Sequence, residues 1–329
     1  MESFRRIVVR ASLDAMSDLH DGAVAAFYVE PLQRDAPPMQ NPDLCSPPFT
    51  WDASAAPGAV AASMVDCFHI LRDRPDRLAW SFAAAVAAAG GDRAHPLCRA
   101  GLAIAADVDR GIGAGIPGGY HTPQHFLEVV LSALYLCGRT GIVGDAALGV
   151  LTAALVHDFH YDGVRDGPHS FRLEAIAARE TMPYLRAAGV DIAVQQRLAR
   201  LVLATEPTAG VPFARACHAF HRGSADAPTT PAPLPELEAL RDDPALALEA
   251  TLLVEADVLP SIGLTVEHGH HVQSLLAAEW RRPLGAEDKL HFIDEIFVDF
   301  LVGDFFSPNM RALRDDCLGR IRARLHGSA

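Results

Sequence analysis

Apolar residues recur at three- and four-residue spacing through most of the chain, which is the period of an α-helix with a buried face. Alanine and leucine, both strong helix formers, dominate, while β-branched and aromatic clusters are sparse. The pattern predicts an almost wholly helical protein. Helices are expected over 57–71, over 79–89 closed by Gly90-Gly91, and over 96–110, which starts at a proline where the missing N–H does no harm. Further helices are expected over 123–138, 145–159, 170–188, 191–205, 244–258, 264–281, 286–305 and 309–325. Ser170 is a candidate N-cap, and Pro183 should kink its helix. Residues 209–244, with their Pro, Ala, Gly and Thr, read as a loop, a lid or a surface insertion. The first 55 residues hold a short β-like run at 7–9 and a proline-rich stretch at 31–48. The expected organisation is a segment of residues 1–90 packed on a main helical unit of 91–329.

Composition narrows the class. Half of the 329 residues are hydrophobic and 21% are charged, which is globular and not disordered. The net charge of −13 disfavours non-specific binding to a nucleic-acid polymer or an anionic membrane, but leaves room for a small anion held by a metal. The longest apolar run, 146–156, is too short to span a bilayer. Arg10, Asp14 and Asp18 interrupt any signal-peptide core. Six scattered cysteines (45, 67, 98, 137, 217 and 317) form no C-x-x-C pair and read as free thiols of a cytoplasmic protein.

Four ionisable clusters carry the candidate chemistry: Tyr120-His121 with His125, His157-Asp158, Thr205-Glu206, and Glu255 with Asp257. Singly each is weak. An i,i+4 histidine pair is most often a surface coincidence, and an acid after an apolar run is usually a solvated helix end. Together they show apolar helices ending repeatedly in His or carboxylate groups. Such ends are expensive in a core unless paired or metal-bound, and these ligand types suit divalent metals. The turn GIGAGIPGG contains G-x-G but follows a helix, so it reads as a sharp turn delivering Tyr120-His121 and not as a dinucleotide site.

These residues resemble the HD-domain metal-dependent phosphohydrolases, most closely the class I cyclic-nucleotide phosphodiesterase catalytic domain, from about residue 118 to 305. The resemblance rests on Tyr120, His121 and His125; on His157-Asp158 with Gly163; on Leu173-Glu174; on Leu203-Ala204-Thr205-Glu206, where the family has Asp last; on Ala256-Asp257 before Pro260; and on Phe292-Ile293-Asp294. It implies an all-α, compact multi-helix HD bundle with a central metal site. His125, His157, Asp158 and Asp257 would bind the tighter metal, Zn²⁺ or Fe²⁺. Asp158 would bridge to a second ion, Mg²⁺ or Mn²⁺. A hydroxide between the metals would attack phosphorus, with His121 as general acid. Glu174, Thr205 and Glu206 would hold metal-bound waters. Tyr120 and Lys289 would contact the substrate, and Phe292 would stack on its planar ring. The implied substrate is a small phosphoester such as a cyclic nucleotide.

Departures from the family matter. The HDxxH pattern would place a histidine at 161, where Tyr161 stands beside His160. Lys289 replaces the glutamine that reads the purine, and Leu259 replaces an asparagine. A lysine donates but cannot accept, so the base-reading half of the site is changed, and a base offering only acceptors or a substrate with an extra anionic group is favoured. Two other functions fit the same scaffold: a di-iron oxygenase of HD type, using extra histidines such as His160 or His169, and a non-catalytic ligand-binding regulator. His218, His221, His268, His270 and His271 read as ordinary surface or core histidines, and Trp280, Phe297, Phe300 and Phe305 as core.

Overall fold

Three stretches of this chain are largely apolar around the helix, and a helix of that kind must be surrounded by others. The computed structural model describes Phe49, Trp51 and residues 54–164, 170–297 and 299–327, and among these residues there is no strand. In chain order the α-helices are α1 (Pro57–Leu71), α2 (Arg77–Ala88), α3 (Pro96–Asp109), α4 (Pro123–Thr140), α5 (Gly144–Val156), α6 (Arg172–Ala187), α7 (Ile192–Leu203), α8 (Gly210–His221), α9 (Pro244–Val258), α10 (Val266–Glu279), α11 (Ala286–His291) and α12 (Ser307–Gly327). The expected all-α fold is what forms. The β-like run at 7–9 and the proline-rich stretch at 31–48 lie outside the described residues.

The helices buried on nearly every face are α4, α5 and α9. Every residue of α4 from His125 to Cys137 is buried, as are nearly all of α5 after Asp145 and of α9 after Ala245. They pack pairwise on one another, and the remaining helices surround them: α2 and α3 on one side, the α6–α7 pair on another, α8 along α9, and α10 to α12 beyond the end of α9. A fully buried leucine such as Leu131 or Leu151 contributes roughly 1.5–3 kcal/mol to this arrangement. Short polar side chains start the outer helices. Asp191 accepts from the Ala193 N–H at 2.8 Å, Asp243 from Leu246 at 2.9 Å, and Thr265 from His268 at 3.1 Å.

Three expectations are corrected. Residues 209–244 are not a plain loop: α8 occupies the first third and buries Val211, Phe213, Ala214 and Cys217 against α9, and a 3₁₀ turn covers Pro235–Arg241. Pro212 is harmless because it falls in the first turn, where no intrahelical N–H is lost. The expected helix over 286–305 breaks after one and a half turns. It passes through a π-turn at Phe292–Ile296, runs without helix, and resumes as a 3₁₀ turn at Asp304–Phe306. The cause lies upstream: buried Glu255 draws the N–H groups of Leu301, Val302 (2.8 Å) and Gly303 (2.5 Å) onto its carboxylate. Ser170 does not cap α6; the cap position is Phe171, held in the left-handed region at φ 69°.

Candidate metal centre

Each apolar helix delivers a polar group to one point in the core. α4 carries His125 in its first turn, α5 runs directly into His157 and Asp158, and α9 carries Asp257 in its last turn. His125 Nε2 lies 3.2 Å from His157 Nε2 and 3.1 Å from Asp158 Oδ2, and His157 Nε2 lies 3.0 Å from that same oxygen. Asp257 Oδ1 is 3.4 Å from His125 Nε2 and 3.3 Å from His157 Nε2. One donor atom from each of the four residues lies within 4.8 Å of all the others.

The donor set fits a divalent cation. Metal–ligand bonds of about 2.0–2.2 Å in a tetrahedral arrangement place the donors roughly 3.3 Å apart, close to the 3.0–3.4 Å of the five pairs that include a histidine. Two imidazoles and two carboxylates suit borderline to hard ions. The Nδ1–H of His157 donates to the Ala154 carbonyl at 2.9 Å, which fixes the tautomer and turns the Nε2 lone pair toward the centre. Burial works against the His157 imidazolium, yet Asp158 and then Asp257 outweigh it and hold its pKa well above the ordinary value. Burial likewise opposes the Asp158 carboxylate, but His157 and His121 pull its pKa well below the usual range. The C-terminal ends of α5 and α9 add partial negative charge. The centre therefore selects positive charge, whether from protons or from a metal.

His121 stands at the edge of this cluster, with Nε2 3.5 Å from Asp158 Oδ2. Its Nδ1–H donates to Glu279 Oε1 at 2.7 Å, and Glu279 Oε2 accepts from the backbone N–H groups of Tyr120 (2.9 Å) and His121 (3.0 Å). Burial lowers the His121 pKa, but Asp158 and the hydrogen bond to Glu279 raise it by more. Two glycines of the preceding turn permit this geometry. A Cβ on Gly119 would fall on the Glu279 carboxylate, and one on Gly115, at φ +72°, would fall on the His121 carbonyl. The glycine-rich turn does deliver Tyr120-His121, through close backbone approach.

The other candidates are placed as follows. The Tyr120 ring lies 4.3 Å from that of His125. Glu174 is buried in the first turn of α6. Thr205 donates to the Val202 carbonyl at 2.7 Å. Glu206 accepts from the N–H groups of Thr208, Ala209 and Gly210, so its carboxylate serves the start of α8. Lys289 Nζ donates to the Ser261 carbonyl at 3.3 Å, beside the π-turn Leu259–Gly263 that continues α9 past Asp257, and lies 5.9 Å from the centre of the half-buried Phe292 ring. His160 turns away from the cluster toward Gly113. His268 pairs with Glu128 at 3.3 Å and His270 with Asp316 at 2.7 Å, so each ring has a carboxylate partner. His169 lies outside the described residues. Phe297 and Phe300 are buried in the core, with Trp280 and Phe305 less so. The residue that sequence reasoning missed is Glu279. It closes SLLAAEW, another apolar stretch ending in an acid, and the same criterion applied there would have singled it out.

No protein-family model and no curated protein matches the sequence. Solved structures do. LmjPDEB1, in complex with IBMX, is similar with a TM-score of 0.56 and 15% identity over 86% of this chain and 98% of that one. The phosphodiesterase domain of the RhoPDE fusion protein from the choanoflagellate Salpingoeca rosetta is similar with a TM-score of 0.55 and 16% identity, over the same shares. The chain therefore has the all-α fold of these phosphodiesterase structures, in keeping with the resemblance of its motifs. No helix among the described residues is long and apolar enough to cross a membrane.

Proposed function

We propose that this protein is a metal-dependent phosphodiesterase acting on a small phosphoester with a planar group, such as a cyclic nucleotide. The observation that carries the reading is the convergence of His125, His157, Asp158 and Asp257 with an anchored His121 at their edge. The four residues would hold the tighter ion, Zn²⁺ or Fe²⁺, and Asp158 would share a second, Mg²⁺ or Mn²⁺. Bound there, such ions lower the pKa of a water and offset charge on the phosphoryl oxygens.

The chain's own residues supply the rest. His121 gives the leaving oxygen a proton from Nε2, while Glu279 holds Nδ1–H and so fixes which nitrogen faces the reaction. Tyr120 packs on His125 and keeps that ligand in place. Glu174 and Thr205 support waters around the ions, while Glu206 contributes through the start of α8. Phe292 offers the face for a planar group, and Lys289, in place of an amide reader, favours a substrate with additional negative charge. No specific observation favours the oxygenase, because among the described residues the four-residue cluster gains no additional histidine ligand. The intact cluster also speaks against a regulator that has lost its chemistry.

Elemental analysis joined to a hydrolysis screen over cyclic nucleotides, dinucleotides and nitrophenyl phosphodiesters tests the reading. Asp158→Ala should lose both metals and all turnover; full metal retention would refute the ligand assignment. His121→Ala should keep its metal and lose roughly 10²–10⁴ in kcat on an alkoxide leaving group. On a nitrophenyl ester, which needs little protonation, the loss should be much smaller. Equal losses on both esters would remove His121 from the role of acid.

A further inference from the structure

Between Asp158 and Gly163 the backbone decides which side chain meets the centre. His160 adopts φ 64°, in the left-handed region, and its N–H donates to the Gly113 carbonyl at 3.0 Å. The Tyr161 N–H then turns back onto the Asp158 carbonyl at 2.9 Å. As a result Tyr161, and not His160, lies over His121. The two rings are stacked with centroids 3.9 Å apart and planes 26° apart. Tyr161 is buried, and its hydroxyl interacts with Glu279, the carboxylate that already holds the His121 Nδ1–H.

The geometry points to Tyr161 as a positioning residue for His121, its ring fixing the imidazole plane while Glu279 fixes its edge. This rests on the reading of His121 as proton donor. The χ2 torsion of a histidine is broad, and a hydrogen bond at one nitrogen leaves rotation about that bond. A flat contact on the ring face removes that freedom and aims Nε2 at the side where Asp158 lies. The phenol ring shields one face of the imidazole, and its hydroxyl helps to hold the carboxylate that orients it. A proton donor aligned in advance needs no reorientation in the transition state, which is where positioning contributes to rate.

The test uses the metal-loaded chain with cyclic AMP and bis(4-nitrophenyl) phosphate, and NMR of the His121 ring. In the wild type the His121 ring protons should lie upfield of an unstacked imidazole, because they sit over the phenol face. Tyr161→Phe should keep that shift and Tyr161→Leu should lose it. On cyclic AMP, Tyr161→Leu should lower kcat by about tenfold to a hundredfold with little change in KM. On the nitrophenyl ester the loss should be far smaller, and Tyr161→Phe should recover most of it. Placed in the His121→Ala background, Tyr161→Leu should add no further loss, since a residue acting through His121 has nothing left to position. An additive loss in that background, or a wild-type His121 signal without the upfield shift, would overturn the proposal. If His121→Ala proves neutral on both esters, the acid role fails by itself, and the NMR shifts still decide whether Tyr161 holds the ring.

Discussion

At position 289 the chain buries an ammonium group on a backbone carbonyl. Lys289 is 4% exposed, and no carboxylate among the described residues forms an ion pair with it. Burial pushes its pKa down to about 8 from 10.5, against a small opposing effect of nearby Cys317. Between about 8 and 10.5 the folded chain binds fewer protons here than the unfolded chain does. Stability therefore rises with pH through that window, and the full penalty, roughly 3 kcal/mol, is present below it. Lys289→Met should stabilise the protein by about 1–3 kcal/mol at pH 7, as replacing an uncompensated buried charge commonly does. That gain should shrink toward zero near pH 10, measured by urea denaturation of both proteins at each pH. A gain that is constant with pH would mean that Lys289 is already neutral or solvated. If Lys289 reads an anionic substrate, the same substitution should also raise KM for that substrate.

Among the elements, the segment 297–306 shows how one side chain can override a local pattern. Its phenylalanines at helical spacing predict a continuous helix, but the Glu255 carboxylate takes three successive N–H groups and opens the chain. Burial raises the Glu255 pKa while those amides act in the opposite direction. Glu255→Ala would leave three donors without their acceptor, the buried Gly303 N–H at about 1–3 kcal/mol and the half-buried Leu301 and Val302 N–H groups at less, so a loss of roughly 2 kcal/mol or more is expected in denaturant melts. Glu255→Gln keeps an acceptor oxygen and should lose clearly less. Equal losses would point to a packing defect instead of the hydrogen bonds. This element also marks the limit of sequence reasoning. The four candidate ligands, His125, His157, Asp158 and Asp257, stand out because polar groups end apolar stretches and because their order resembles a known family's; the structure brings one donor atom of each together. The break at 297–303 does not stand out, because its cause lies 46 residues upstream. Helix α8 was missed because a window of 36 residues averaged Val211, Phe213, Ala214 and Cys217 with the proline-rich stretch after them. Glu279 also ends an apolar stretch, but what it does there depends on His121, 158 residues away, which no single window contains.

For the whole molecule, the four candidate ligands come from three helices that pack as the innermost layer. The unfolded chain has no such site, so a bound ion stabilises only the fold. At a free concentration a hundred times its Kd, that effect is about 2.7 kcal/mol. At about 2.1 cal/mol/K of unfolding entropy per residue, the corresponding rise in melting temperature for 329 residues is roughly 4 °C. Removing metal with a chelator should lower the melting temperature by that amount, and adding it back should restore it, measured by scanning calorimetry. Asp257→Ala should abolish the difference. An unchanged melting temperature in a chelated wild type shown to be free of metal would mean that the cluster is held by its own hydrogen bonds and needs no ion.

The five described cysteines sit on α1, α3, α4, α8 and α12, and all are free and buried. Burial pushes the thiols of Cys67 and Cys137 up to about 12 and that of Cys217 to about 11. Thiolate is the species that alkylating reagents attack, so these groups are silent while the fold is closed. Each becomes reactive only when its own helix opens. The chain thus carries five internal clocks of opening, spread from the first described helix to the last. Their relative labelling rates would rank the helices by how often each leaves the core, with Cys137 of α4 reporting on the layer that holds the candidate metal ligands.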